Sequence, residues 1–190
     1  MQDSSTDTSD SMSPTWPMAT VWITGLSGAG KSTLALQLYR AWRSEGRPVL
    51  VLDGDAVRSG LNRDLGFSAE DRHENIRRAA EVARLANEGG VWVMAAFIAP
   101  LAVHRSLARE IIGNDRFIEV YLSTPFDVCA ARDPKGLYAQ AKAGAIANFT
   151  GVGAAYEPPV NPHLSIDTSR HTPQQAADLV LDLLLRRLER

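Results

Sequence analysis

Residues 25–33 read GLSGAGKST. Gly25, Gly30, Lys31 and Ser32 satisfy the spacing G-x-x-x-x-G-K-[ST] of a phosphate-binding loop. Glycines let backbone N–H groups turn inward around a chain of phosphates, and a following helix N-terminus adds positive potential. The nucleotide-binding stretch is therefore expected to run through Gly25, Leu26, Ser27, Gly28, Ala29, Gly30, Lys31, Ser32 and Thr33. Lys31 is expected to reach the β- and γ-phosphates, and the Ser32 hydroxyl to hold Mg²⁺. A glycine-rich turn without a ligand is the structural alternative. The apolar strand before the loop and the helical pattern after it argue against that.

Such a loop does not say where the last phosphate goes. A hydrolytic switch or motor ends an apolar strand with an acid that helps to hold Mg²⁺ and orient water. The third apolar run, VWVMAAFIAP, has none, and no N-K-x-D guanine-reading motif occurs. The acids stand after the second run instead, as Asp53 and Asp55. There an acid could orient or deprotonate a substrate hydroxyl, or bind Mg²⁺. For Asp53 a helix N-cap is an equal alternative; Asp55 reads as functional. Arg58, Arg63, Arg72, Arg77 and Arg78 follow. Guanidinium forks suit phosphate or sulfate oxygens. Arg58 and Arg72 adjoin turns where an anionic acceptor would lie, whereas Arg77 and Arg78 fit a solvated helix face equally well. Phe67 and Phe149 are aromatics in polar segments; they could sandwich a base or simply pack in the core. Residues 132–158 are too long and polar for an ordinary connection and read as a lid from which Lys135 could reach phosphates. His73, His104, His163 and His171 lack metal-ligand spacing, and Cys129 reads as a buried thiol.

The elements that must hold these groups alternate. Apolar runs at 19–24, 48–55, 90–100, 117–123 and 163–167 read as buried strands. Helical patterns fill 31–44, 68–86 and 101–112, short helices are expected through Cys129 and near 137–147, and a final helix opens at Thr172. Ser68 with Asp71, and Thr172 with Pro173 and Gln175, are helix-start signals. The expected fold is α/β: a parallel five-stranded sheet with helices on both faces, carrying its ligands at the carboxyl ends of the strands. A chain of 190 residues suits one such domain, taken as 19–190 behind a disordered tail over 1–18. The formal net charge of −2 disfavours nucleic acid as a partner, and no apolar run is long enough for a bilayer. One cysteine and an acidic, hydroxyl-rich start lead to the expectation of a cytoplasmic protein.

Four stretches together resemble the adenylyl-sulfate kinase (APS kinase) family: GLSGAGKSTLA, LDGDAVRSGLNRDLGFSAEDRHENIRR, RDPKGLY and NFTGV…YEPP. They cover most of residues 21–167 in the family's order, and generic phosphate-loop kinases lack the second. The resemblance implies a P-loop kinase with a lid. In it ATP donates its γ-phosphate to the 3′-hydroxyl of adenosine 5′-phosphosulfate (APS), giving PAPS for sulfate assimilation. It also implies Mg²⁺, held by Ser32 and Asp55, and a homodimer. By motif match Asp55, Arg58, Phe67, Arg72, Asn75, Ile98, Lys135, Leu137 and Phe149 contact or activate the acceptor, with Phe67 and Phe149 on either side of its adenine. Lys31, Asp55 and Lys135 are the expected catalytic groups, and Arg132 is expected near the adenine of ATP. The family usually reads FISPY where this chain has FIAPL, so Ala99 stands in place of a serine proposed to carry a phosphoryl group in some members, and Leu101 in place of the tyrosine. It also tends to TGI-x-x-PYE where this chain has TGVGAAYE. These departures bear on the acceptor more than on the reaction. A kinase of the same fold acting on another anionic nucleotide is the second reading. A nucleotide-binding regulator without turnover is the third, and Lys31, Ser32, Asp55 and Arg72 argue against it.

Overall fold

The computed structural model describes residues 18–146 and 148–188. Nearly all of the expected N-terminal tail, residues 1–17, lies outside the described residues. The chain runs β1 (Thr20–Gly25), α1 (Lys31–Ser44), β2 (Val49–Asp53), α2 (Gly54–Ser59), α3 (Ala69–Glu88), β3 (Trp92–Ala96), α4 (Ala102–Ile112), β4 (Phe117–Leu122), α5 (Phe126–Arg132), α6 (Leu137–Lys142), β5 (Leu164–Ile166) and α7 (Pro173–Leu188). Five strands form one parallel sheet in the order β2-β3-β1-β4-β5. The chain reverses direction across the sheet between β1 and its neighbours, so the carboxyl end of β1 opens a crevice for a ligand.

Alternation along the central strands divides the core in two. Val21 and Ile23 of β1 face α1 and α7, joining Leu34, Leu38, Val180 and Leu184. Trp22 points the other way, among Ile76, Ala79, Ala80 and Ala83 of α3 and Ala108 of α4. There its ring stacks on Phe97 at 5.1 Å and meets Phe117 at 5.8 Å. Both faces of β1 are thus sealed, which is why its sequence reads as an unbroken apolar run.

The strand ending in Asp53 differs from the expectation. It is an edge strand: Leu50 is exposed and only Leu52 is fully buried. Its sequence, VLVLD, is as apolar as that of a central strand, and only its place in the sheet order exposes it. The helix starts agree with the sequence. The Ser68 hydroxyl accepts from the N–H of Asp71 at 3.0 Å. At α7 both halves of a capping box form, Gln175 N–H to Thr172 Oγ1 at 3.2 Å and Thr172 N–H to Gln175 Oε1 at 2.9 Å. Each such cap is worth about 1 kcal/mol.

Candidate active site

The phosphate loop joins β1 to α1 at the centre of the sheet. Two of its glycines are fixed by close approach. A Cβ on Gly25 would stand 2.9 Å from the Leu122 carbonyl oxygen, and one on Gly28, at φ +77, would stand 2.7 Å from that of Cys129. The loop is therefore pressed against β4 and α5 and leaves no room for a side chain at either point. No side chain among the described residues caps α1, so its first amides remain free for an anion.

The loop's outward carbonyls are braced from three later segments. Arg132, at the end of α5, donates to Gly28 O at 3.3 Å and to Thr168 Oγ1 and O at 2.8 and 2.9 Å. Thr168 in turn donates to Ala29 O at 2.9 Å and lies 2.8 Å from the Thr124 hydroxyl. Tyr138 of α6 donates to Ser27 O at 2.9 Å. Burial pushes the Tyr138 phenol up to about 12, so it is a neutral donor. Lys31 folds back onto the loop, donating to Gly25 O at 3.0 Å and Leu26 O at 2.7 Å. Burial of its ammonium lowers its pKa to about 8, against the opposing pull of Cys129, Asp53 and Asp55.

The two acids of the second strand separate in role. Asp53 ends β2 and caps α2, accepting from the Asp55 N–H at 3.0 Å through one oxygen. Its other oxygen accepts from the Ser32 hydroxyl at 2.5 Å. Asp55 is exposed and pairs with Lys135 from the segment after α5. The carboxylate beside the expected Mg²⁺ ligand Ser32 is thus Asp53, which the motif reading left undecided. Among the described residues no three His, Cys, Asp or Glu side chains form a metal cluster. A hydroxyl with one or two carboxylates nevertheless suits Mg²⁺, which keeps several waters and takes further oxygens from phosphates.

A cavity of about 1100 Å³ runs from the loop to the strand ends on the other side. Ser27, Gly28, Gly30, Lys31, Ser32, Thr33 and Arg132 line its loop end, together with Thr168 and His171. Asp55 and Lys135 stand between this end and the far one. Arg58, Phe67, Arg72, Asn75, Ile98, Leu137 and Phe149 line the far end. Gly25 and Ala29 are buried behind the cavity, and Leu26 faces a separate recess.

At the far end Phe67 is 67% exposed and lies under two guanidinium groups, Arg58 at 4.5 Å and Arg72 at 5.6 Å from its ring centre. Arg58 also donates to Gly66 O at 2.8 Å, and Arg72 to Phe67 O at 3.0 Å and Asn148 O at 3.2 Å. Each arginine keeps donors for an anion while its aromatic neighbour holds the plane of the group. Phe149 is nearly buried, set edge-on against Tyr138 at 5.0 Å. It packs in the core and also lines the cavity. Asn75 Oδ1 accepts from Asn62 at 3.0 Å, which orients its amide. By contrast Arg77 and Arg78 are committed to Glu74 and Asp64 on the helix surface.

The lining or bracing residues that the sequence did not place at the site include Asp53 as the Ser32 partner, Tyr138, Thr168 and His104. His104 is buried, lines the far end and has no partner for Nδ1 among the described residues. Burial, then His73 and two arginines, lowers its pKa, so it is neutral. Only Asp53 left a signal in sequence, through its place at a strand end. The other three act across large sequence separations.

A family model described as adenylylsulphate kinase matches residues 17–167. An adenylyl-sulfate kinase of Pseudomonas entomophila (strain L48) is 52% identical over 166 residues, covering 87% of this chain and 80% of that protein. The bifunctional enzyme NodQ of Rhizobium meliloti (strain 1021) is 53% identical over 170 residues, 90% of this chain; the chain spans only 26% of that relative's length. Among solved structures, the Mycobacterium tuberculosis APS kinase CysC, in complex with AMPPNP and APS, superposes with a TM-score of 0.85 at 46% identity, over 89% of this chain and 98% of that one. The similarity runs through the loop, the arginine-flanked pocket and the segment carrying Lys135 alike, and on it the chain belongs to the adenylyl-sulfate kinase family.

Proposed function

We propose that the protein transfers the γ-phosphoryl group of ATP to the 3′-hydroxyl of adenosine 5′-phosphosulfate, releasing ADP and PAPS. The observation that carries this reading is the single cavity: a phosphate loop at one end, an arginine-flanked aromatic pocket at the other, and the Asp55–Lys135 pair between them. ATP lies along the loop, with its γ-phosphate at Lys31. Arg58 and Arg72 read the acceptor's phosphosulfate, and Phe67 and Phe149 flank its adenine. When the acceptor enters, its 3′-hydroxyl takes the place of Lys135 beside Asp55. The hydroxyl oxygen attacks phosphorus in line, the bond to the ADP oxygen breaks, and the hydroxyl proton passes to Asp55. Lys31 and Lys135 neutralise the oxygens of the transferring group. Mg²⁺, held through Ser32 with Asp53 or Asp55, would supply further charge neutralisation for the transferring group. Transfer is direct, since Ala99 offers no hydroxyl to carry a phosphoryl group and a loose transition state needs only positioning and charge.

The segment over 132–158 acts as the lid, bringing Lys135 to the junction. The homodimer implied by the resemblance, and the cytoplasmic location expected from the single cysteine and the acidic, hydroxyl-rich start, belong to this reading; sedimentation of the purified chain tests the first. Ala99 and Leu101, in place of the family's serine and tyrosine, favour one second reading, a different anionic nucleotide as acceptor. A panel of nucleotide acceptors with ATP and Mg²⁺, scored for ADP release and product mass, decides. The expected result is PAPS from APS. Efficient phosphorylation of another nucleotide with no PAPS would replace the acceptor. In the same assay γ-labelled ATP without acceptor is expected to leave no label on the protein.

A further inference from the structure

The turn that closes β3 walls the far end of the cavity through residues 97–100. Ala99 within it has φ +40 and is 2% exposed. A residue with a Cβ keeps such a conformation only where its surroundings over-determine it. Three elements do so here. Ile98 O accepts from Thr24 Oγ1 of β1 at 2.6 Å. Ala99 O accepts from Arg105 Nη1 of α4 at 2.9 Å. Pro100 O accepts from the backbone N–H of Glu157 at 2.8 Å. Arg105 is itself fixed by a buried pair with Glu119 of β4 at 3.1 Å.

Glu157 makes a second contact around the same turn. Its Oε2 accepts from the Ala102 N–H at 2.6 Å. That amide opens α4, whose own N-cap residue, Leu101, has no capping side chain. A carboxylate at this point satisfies an orphan donor and complements the helix dipole. Glu157 therefore brackets Pro100–Leu101 with its main chain on one side and its side chain on the other. It follows directly after Tyr156, whose hydroxyl lies 3.1 Å from that of Thr24. The segment that carries Lys135 and Phe149 thus ends by gripping the opposite wall of the acceptor pocket.

We propose that Glu157 is a positioning residue for the acceptor, fixing the Ala99–Leu101 turn to the segment that closes over it. The inference rests on the reading of the far end as the acceptor site. Because position 99 carries only a methyl group, this turn serves the site through backbone placement and shape, and that placement is what Glu157 holds. His104, in the first turn of α4, would shift with it.

The test is a steady-state comparison of Glu157→Ala, Glu157→Gln and the double variant Leu101→Ser/Glu157→Ala, with thermal melts. Glu157→Ala is expected to raise KM for APS about tenfold, the loss of one charge-assisted hydrogen bond, with KM for ATP within about twofold. Glu157→Gln keeps an acceptor oxygen and is expected to recover most of the APS affinity. Leu101→Ser gives α4 a cap of its own without rebuilding the link. The double variant is therefore expected to regain the melting temperature but not the KM for APS, and it carries the test if the single alanine variant fails to fold. Recovery of KM together with stability, or an equal rise for ATP and APS, would reduce Glu157 to a helix cap and overturn the proposal. If wild-type protein phosphorylates another nucleotide instead of APS, the function reading fails, and the same split is measured on that acceptor.

Discussion

The two ends of the cavity are built on opposite plans. The loop end is backbone: glycines pressed on neighbouring carbonyls, amides of α1 left free, and outward carbonyls braced by Arg132, Thr168 and Tyr138. The far end is side chains from α2, α3, the β3 turn and the segment after α5, with Phe67 largely exposed and two arginines resting on it. A triphosphate is the same in every nucleotide, so a rigid main-chain cradle can read it. An acceptor must be told from other nucleotides, and that takes several side chains brought from separate places. Substitutions should therefore divide cleanly by end.

The largest effect is expected at the loop. Lys31→Ala should lower kcat by about 10²–10³-fold, as the loss of a charge-stabilising donor does elsewhere, with the melting temperature and acceptor binding little changed. Near-normal kcat in a folded Lys31→Ala protein would break the division at its root. At the far end Arg72→Ala should lower kcat/KM for APS by about 10- to 100-fold, the range for a hydrogen bond to a charged group, and spare the dissociation constant for ATP. Phe149→Leu is a cleaner partner experiment than alanine, because Phe149 also packs on Tyr138. Collapse of ATP affinity with APS use intact would mean the ends are assigned the wrong way round.

Protonation sharpens the contrast. Burial, above all, holds Lys31 at a pKa of about 8, below its usual 10.5. Phosphates bind the protonated form, so the dissociation constant for ATP should rise as pH passes through 8, by about tenfold for each further unit. Isothermal titration between pH 7 and pH 9.5 reads this as proton uptake. Folding moves the other way. A lysine with a depressed folded pKa carries its burial cost below pH 8, and stability recovers between pH 8 and 10.5. The smallest expected effect is at a brace. Tyr138→Phe removes only the hydroxyl that holds Ser27 O, and should raise KM for ATP by about three- to fivefold, as one neutral hydrogen bond does. An unchanged KM would mean that the loop keeps its shape without that brace.

The loop end was legible because its chemistry is contiguous. Nine residues, a strand before and a helix after define it, and α1 occupies Lys31–Ser44 as its spacing implies. The far end was legible in outline: Arg58 and Arg72 adjoin turns where an anionic acceptor would lie, but Phe67 and Phe149 suit a core equally well, and only the resemblance joined them into one pocket. What stayed hidden was non-local. Thr168 is one threonine among several until folding sets its hydroxyl on Ala29 O. The exposure of β2 follows from sheet order, which its residues do not encode. In the sequence Asp53 is evenly balanced between a site role and a helix cap, while Asp55 reads as functional. The start of α2 divides them, turning the first toward Ser32 and the second toward Lys135.

The folded-back Lys31 has a consequence for the heat of binding. Its ammonium is engaged by Gly25 O and Leu26 O. ATP therefore exchanges one set of oxygen partners for another, and the calorimetric signal from this side chain is the difference between the two sets. The loop, braced beforehand, has little configurational freedom left to lose. Nucleotide capture at this end should thus resemble the filling of a mould already set, and the larger ordering cost should fall on the second substrate.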